Sequence, residues 1–132
     1  MELHLKIIGW LLTILALVHG IFPRYFDWKN EFKNVSIINR EMMYVHTFFI
    51  AFVVLLMGVL CITSAEEIIA TKLGQNIALG LSIFWIIRLI IQFFGYSSTL
   101  WKGKTFETIM HILFTFFWAY LSIVFFLVWK GV

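Results

Sequence analysis

Four long apolar stretches, each separated from the next by a polar segment, set the pattern of this chain. They run roughly over 3–22, 41–64, 74–95 and 106–129. Each has about the 20 residues an α-helix needs to cross the hydrocarbon core of a bilayer. The pattern predicts four transmembrane helices. Connections this short force neighbouring helices to alternate up and down. The expected fold is an all-α, integral membrane, antiparallel four-helix bundle, with 1–132 as a single domain.

The polar segments supply the boundaries. Pro23 is the only proline and predicts a stop after Phe22, because proline cannot continue the backbone ladder. Segment 24–40 mixes Arg24, Asp27, Lys29, Glu31, Lys33 and Arg40 with Phe26, Trp28 and Phe32, which reads as a loop with a short amphipathic piece at the interface. Trp28 and Tyr25 suit the headgroup level. Ser36 or Asn39 is placed to cap the second helix. Glu66 and Glu67 end it, segment 65–73 forms a short link, 96–105 forms another, and Lys130 closes the fourth helix.

One stretch breaks the apolar pattern from within. Arg88 and Gln92 stand four residues apart inside the third span, and Tyr96 continues their face. A charge at membrane depth costs roughly 2.5–3.5 kcal/mol on insertion scales, so it normally faces a bundle interior or a polar cavity. The other helices offer polar groups at a similar depth. His19, His46, Gln92 and His111 each lie about one to two turns, roughly 6–9 Å, inside the same interface. On the fourth helix Glu107, His111, Thr115, Trp118 and Ser122 form one polar stripe. Glu41 lies about 140° from His46 on an ideal helix and is a poor partner for it. His4, at the opposite end of the first helix, is outside this layer.

Three imidazoles converging from different helices match the ligand set of an iron, copper or zinc site, with His19, His46 and His111 as ligands and Glu107 as a fourth ligand or an orienting partner. Met43, one turn before His46, adds a soft ligand that suits copper. Haem b is the second cofactor reading, with two of the histidines axial. Arg88, Gln92 and Tyr96 then form the cofactor-binding face, Arg88 holding a propionate, a lipid phosphate or a carboxylate.

Composition removes other classes. The 132 residues are 62% hydrophobic and 13% charged, against about 45–50% and about 25% in soluble domains. The net charge of +3 sits in loops, which argues against nucleic acid and for lipid headgroups as partners. Arg24, Lys29, Lys33, Arg40, Lys102 and Lys104 lie on the side of the 24–40 and 96–105 loops; Lys6, Lys72 and Lys130 lie on the other. The positive-inside rule then makes those loops cytoplasmic and both termini external. The first stretch is not expected to be a cleaved signal peptide, since no small-x-small site follows it. Cys61 is the only cysteine and is expected as a buried apolar residue. There is no Gly-rich phosphate loop, Ser/His/Asp arrangement, CxxC, CxxCH or HxxxH.

The expected function is a small polytopic membrane protein with a metal or haem centre, acting in electron transfer or oxidation of a membrane-soluble substrate. The alternatives are a non-catalytic subunit of a larger membrane complex and a small homo-oligomeric transporter or channel for an anionic ligand.

Overall fold

The structure is a computed structural model and describes residues 1–95 and 103–131. The described elements are all helical. Helix α1 spans Glu2–Val18, followed by a 3-10 turn His19–Ile21, α2 Phe22–Tyr25, α3 Trp28–Glu31, α4 Ile37–Thr63, α5 Ala65–Ala70, α6 Lys72–Phe94 and α7 Thr105–Lys130. Four helical runs are long and apolar enough to cross a membrane: Glu2–Tyr25, Ile37–Thr63, Lys72–Phe94 and Thr105–Lys130. The all-α, four-span, multi-pass fold read from the apolar pattern is therefore what the chain adopts. It divides into two compact units, one of residues 3–65 and one of residues 1–2 with 66–132.

The exposed surface is that of a protein solvated by lipid. Helix α4 buries only Val54, Gly58 and Cys61 and leaves Phe48, Phe49, Ile50 and Phe52 outward. In water such a face would be an aggregation site; in a bilayer it is the ordinary solvent contact.

Helix ends follow local chemistry. The expected stop at Pro23 is displaced. Pro23 has no N–H to give the His19 carbonyl, so the Phe22 N–H takes it instead, in 3-10 geometry. Pro23 itself sits in the first turn of α2, where a missing donor costs nothing. The helical run thus continues to Tyr25, beyond the predicted end at residue 22. Ser36 caps α4, its Oγ accepting from the Asn39 N–H at 3.4 Å, which starts that helix at Ile37 rather than near Glu41. The amphipathic piece expected in 24–40 is α3. Its Trp28 is buried against Phe32 and, edge-on, against Tyr44. The link 65–73 is itself mostly helix α5. Thr71 closes it by donating to the Glu67 carbonyl at 2.7 Å and accepting from the Gly74 N–H at 2.9 Å. Gly131, at φ 78°, caps α7 in the left-handed region that glycine enters freely.

In the unit of residues 3–65, α1 and α4 run antiparallel and meet through bare backbone. A Cβ placed on Gly58 would lie 2.7 Å from the Gly9 carbonyl oxygen and 2.7 Å from the Thr13 hydroxyl, and one on Gly9 would lie 2.7 Å from the Gly58 carbonyl oxygen. Small residues that let backbones approach are how helices pack without a hydrophobic driving force. In the unit containing residues 66–132, α6 buries Gly74, Ala78, Ser82, Trp85 and Gln92. Helix α7 buries Trp118, Leu121, Ser122, Val124, Phe125 and Val128. The Ser82 hydroxyl crosses between them to the Ser122 carbonyl at 3.0 Å.

Candidate functional site

Of the polar residues singled out in the third and fourth spans, Arg88, Gln92, His111 and Thr115 meet on the α6–α7 face. Gln92 is buried, and its amide connects three groups. Its Nε2 donates to the His111 carbonyl and to the His111 ring Nδ1, each at 3.2 Å, while its Oε1 accepts from Arg88 Nη1 at 3.4 Å. The carbonyl can only accept, so the amide nitrogen is fixed on that side. The ring Nδ1 must then carry the lone pair, and the His111 proton resides on Nε2. Thr115 also donates to the His111 carbonyl, at 2.7 Å.

Arg88 lies over the face of Trp118, its guanidinium carbon 5.0 Å from the ring centre. This is within reach of the attraction between a cation and an aromatic face. Trp118 in turn stacks on Trp85, with ring centres 5.1 Å apart and planes 8° from parallel, and on Phe114 at 5.4 Å. Both indole N–H groups are buried, and neither has a hydrogen-bond partner among the described residues. A buried unsatisfied donor costs roughly 1–3 kcal/mol. The site is therefore rich in donors: the Arg88 guanidinium, the Gln92 amide and two buried indole N–H groups. Between Lys72 and Lys130 the sequence holds a single acidic residue, Glu107.

Trp85 was not among the residues that patterning marked. The signal was present, because Trp85, Arg88 and Gln92 recur at i, i+3 and i+7 on one helix face. Tyr96, predicted to extend this face, lies outside the described residues. Glu107 is exposed on the first turn of α7.

The other two histidines lie in the unit of residues 3–65. His19 lines a groove between the α1–α2 run and α4, and its Nδ1 donates to the Leu15 carbonyl at 2.8 Å. His46 donates from Nδ1 to the Met42 carbonyl at 2.7 Å and is exposed. On a regular helix His46 falls roughly 170° from the centre of the α4 face that walls this groove. His19 and His46 are thus not brought to one point within their unit. Among the described residues no group of three or more His, Cys, Asp or Glu is placed to hold a metal ion.

Comparison of the chain with protein-family models, with curated proteins and with solved structures returned no match.

Proposed function

We propose that this multi-pass membrane protein binds the oxyanion head of a membrane-embedded ligand, a carboxylate or a phosphate, at the Arg88–Gln92–His111 face of α6 and α7. The observation that carries the reading is the donor-rich character of a partly buried site built around a guanidinium. The Arg88 guanidinium offers a planar fork that matches carboxylate and phosphate oxygens. Gln92 steers that fork from one side and the Trp118 ring from below. The buried indole N–H groups of Trp85 on α6 and Trp118 on α7, stacked on each other beside Arg88, supply two further donors. In a medium of low dielectric, charge-assisted hydrogen bonds of this kind are about twice as strong as neutral ones.

Each polar group has a distinct role in this reading. Arg88 neutralises the head. Gln92 holds Arg88 in place, and His111 orients the Gln92 amide. The apolar remainder of the ligand stays in the lipid, along the exposed face that includes Ile87 and Ile91.

The test uses the purified protein in nanodiscs of zwitterionic lipid, titrated with oleate and, separately, with a short-chain phosphatidate. Tryptophan fluorescence is the readout, with Trp118→Phe isolating the contribution of Trp118 among the chain's six tryptophans. Saturable binding of either oxyanion supports the reading, and the better of the two identifies the head. Arg88→Gln is expected to weaken binding at least tenfold, and Arg88→Lys to restore it only in part, because an ammonium lacks the planar fork. Methyl oleate or diacylglycerol binding as well as its anionic counterpart would overturn the proposal.

A further inference from the structure

The groove between the α1–α2 run and α4, which form the first hairpin, is a second feature, separate from the α6–α7 face. It encloses about 400 Å³, open on one side, and is walled by Ala16, His19, Trp28, Tyr44, Phe48 and Leu55 among others. That size falls in the range of small-molecule sites, about 300–1,000 Å³.

Its polarity is graded along its length. From Tyr44 to Leu55 the α4 wall covers roughly 16 Å at 1.5 Å per residue. The end nearer the helix start carries Tyr44 and Thr47 and is closed by Trp28, whose ring meets Tyr44 edge-on at 5.3 Å. The other end is Ala51, Phe52 and Leu55, with nothing polar. His19 stands on the α1 side of this groove. Its Nδ1 proton is committed to the Leu15 carbonyl, which can only accept, so in the neutral ring Nε2 is left as a lone-pair acceptor. An acceptor in an apolar groove selects an O–H donor. Walls made of Trp28, Tyr44, Phe48 and Phe52 select a flat ring, because aromatic rings pair face-offset or edge-on. The open side lets an apolar tail leave into lipid, past Phe48 and Phe52, which are exposed.

We infer that this groove is a binding site for a membrane-soluble hydroxylated aromatic ring with an apolar tail, a hydroquinone in chemical class, with one ring hydroxyl donating to His19. The occupant is a single ring rather than a second helix. Bulk is the reason: a helix with side chains is about 10–12 Å across, and the groove is closed at its polar end by Trp28 and Tyr44.

The experiment is equilibrium binding of a decyl-tailed benzohydroquinone, kept reduced under anaerobic conditions, to the full chain in nanodiscs. Its dimethyl ether, which has the same ring and tail but no O–H donor, is the control. Saturable binding near one per chain is expected, with the ether about tenfold weaker, the loss of roughly one hydrogen bond to an otherwise unpaired acceptor. His19→Phe should lower hydroquinone affinity to that of the ether and leave the ether unchanged. Ala51→Phe, which fills the groove from the α4 wall, should abolish binding of both while the far-ultraviolet spectrum stays helical. Equal affinity for hydroquinone and ether, unchanged binding in Ala51→Phe, tighter binding of cholesterol than of the hydroquinone, or no saturable binding would each overturn the inference.

Discussion

Gly58→Val is expected to destabilise the first hairpin by about 3 kcal/mol, the upper end of what overpacking costs. The atoms a side chain would meet at position 58 are the Gly9 carbonyl oxygen and the Thr13 amide nitrogen and hydroxyl, at 2.7–3.0 Å. Two of these three are backbone, so no rotamer change removes the clash and α1 must move away from α4. That separation loses close packing, the main attraction available between helices in lipid. Thr13 cannot adapt freely either, because its hydroxyl is already bonded to the Gly9 carbonyl at 2.8 Å. Gly80→Ala is the control of opposite sign. Nothing lies within 4 Å of a Cβ at position 80, so alanine there should be neutral or stabilising by up to about 1 kcal/mol through helix propensity. Unfolding of both variants by SDS titration in mixed micelles, followed by circular dichroism, measures the difference. A Gly58→Val midpoint equal to wild type would show that the crossing is not held by backbone contact.

Gln92→Leu is expected to have the largest effect on the α6–α7 pair, the second hairpin, at about 1–3 kcal/mol. The substitution removes two hydrogen bonds across the helix pair, to the Nδ1 and the carbonyl of His111, and one along α6 from Arg88. Interhelical hydrogen bonds in membranes average about 0.6 kcal/mol and reach about 1.7, so two together account for most of that range. The His111 carbonyl keeps its bond from Thr115, which limits the loss. A functional effect accompanies the structural one. Without the amide, the Arg88 fork loses a guide and His111 is no longer confined to one tautomer, so oxyanion affinity should fall about tenfold with the guanidinium still present. Gln92→Leu binding oleate or phosphatidate as wild type does, while Arg88→Gln does not, would show that Arg88 acts without this support.

Much of the architecture was legible because a bilayer restricts what a chain can do. Backbone groups in hydrocarbon must be satisfied within the segment, so a long apolar run in this chain means a helix. The four spans followed from that alone. Helical spacing also put Arg88 and Gln92 on one face, and depth put Gln92 level with His111; that the three are joined through the Gln92 amide is what the structure adds. Less legible was what proline does beside a histidine carbonyl. Reading Pro23 as a stop ignored that a 3-10 bond from Phe22 satisfies the same carbonyl and lets the run go on. Depth also proved a weaker guide than azimuth. His19 and His46 were matched by distance from the interface, yet His46 points away from the groove that His19 lines. The apolar walls of that groove, Phe48, Ala51 and Leu55 among them, carried no mark in a span made almost wholly of such residues.

The stacked pair Trp85 and Trp118 joins chain segments that are remote in sequence, one from each helix of the second hairpin. Two near-parallel indoles at 5.1 Å are close enough for their excited states to couple, and the coupling exists only while α6 and α7 are docked in register. The near-ultraviolet dichroism of this protein should therefore carry an exciton signature belonging to neither chromophore alone. The second hairpin contains an optical gauge of its own assembly, readable without a label.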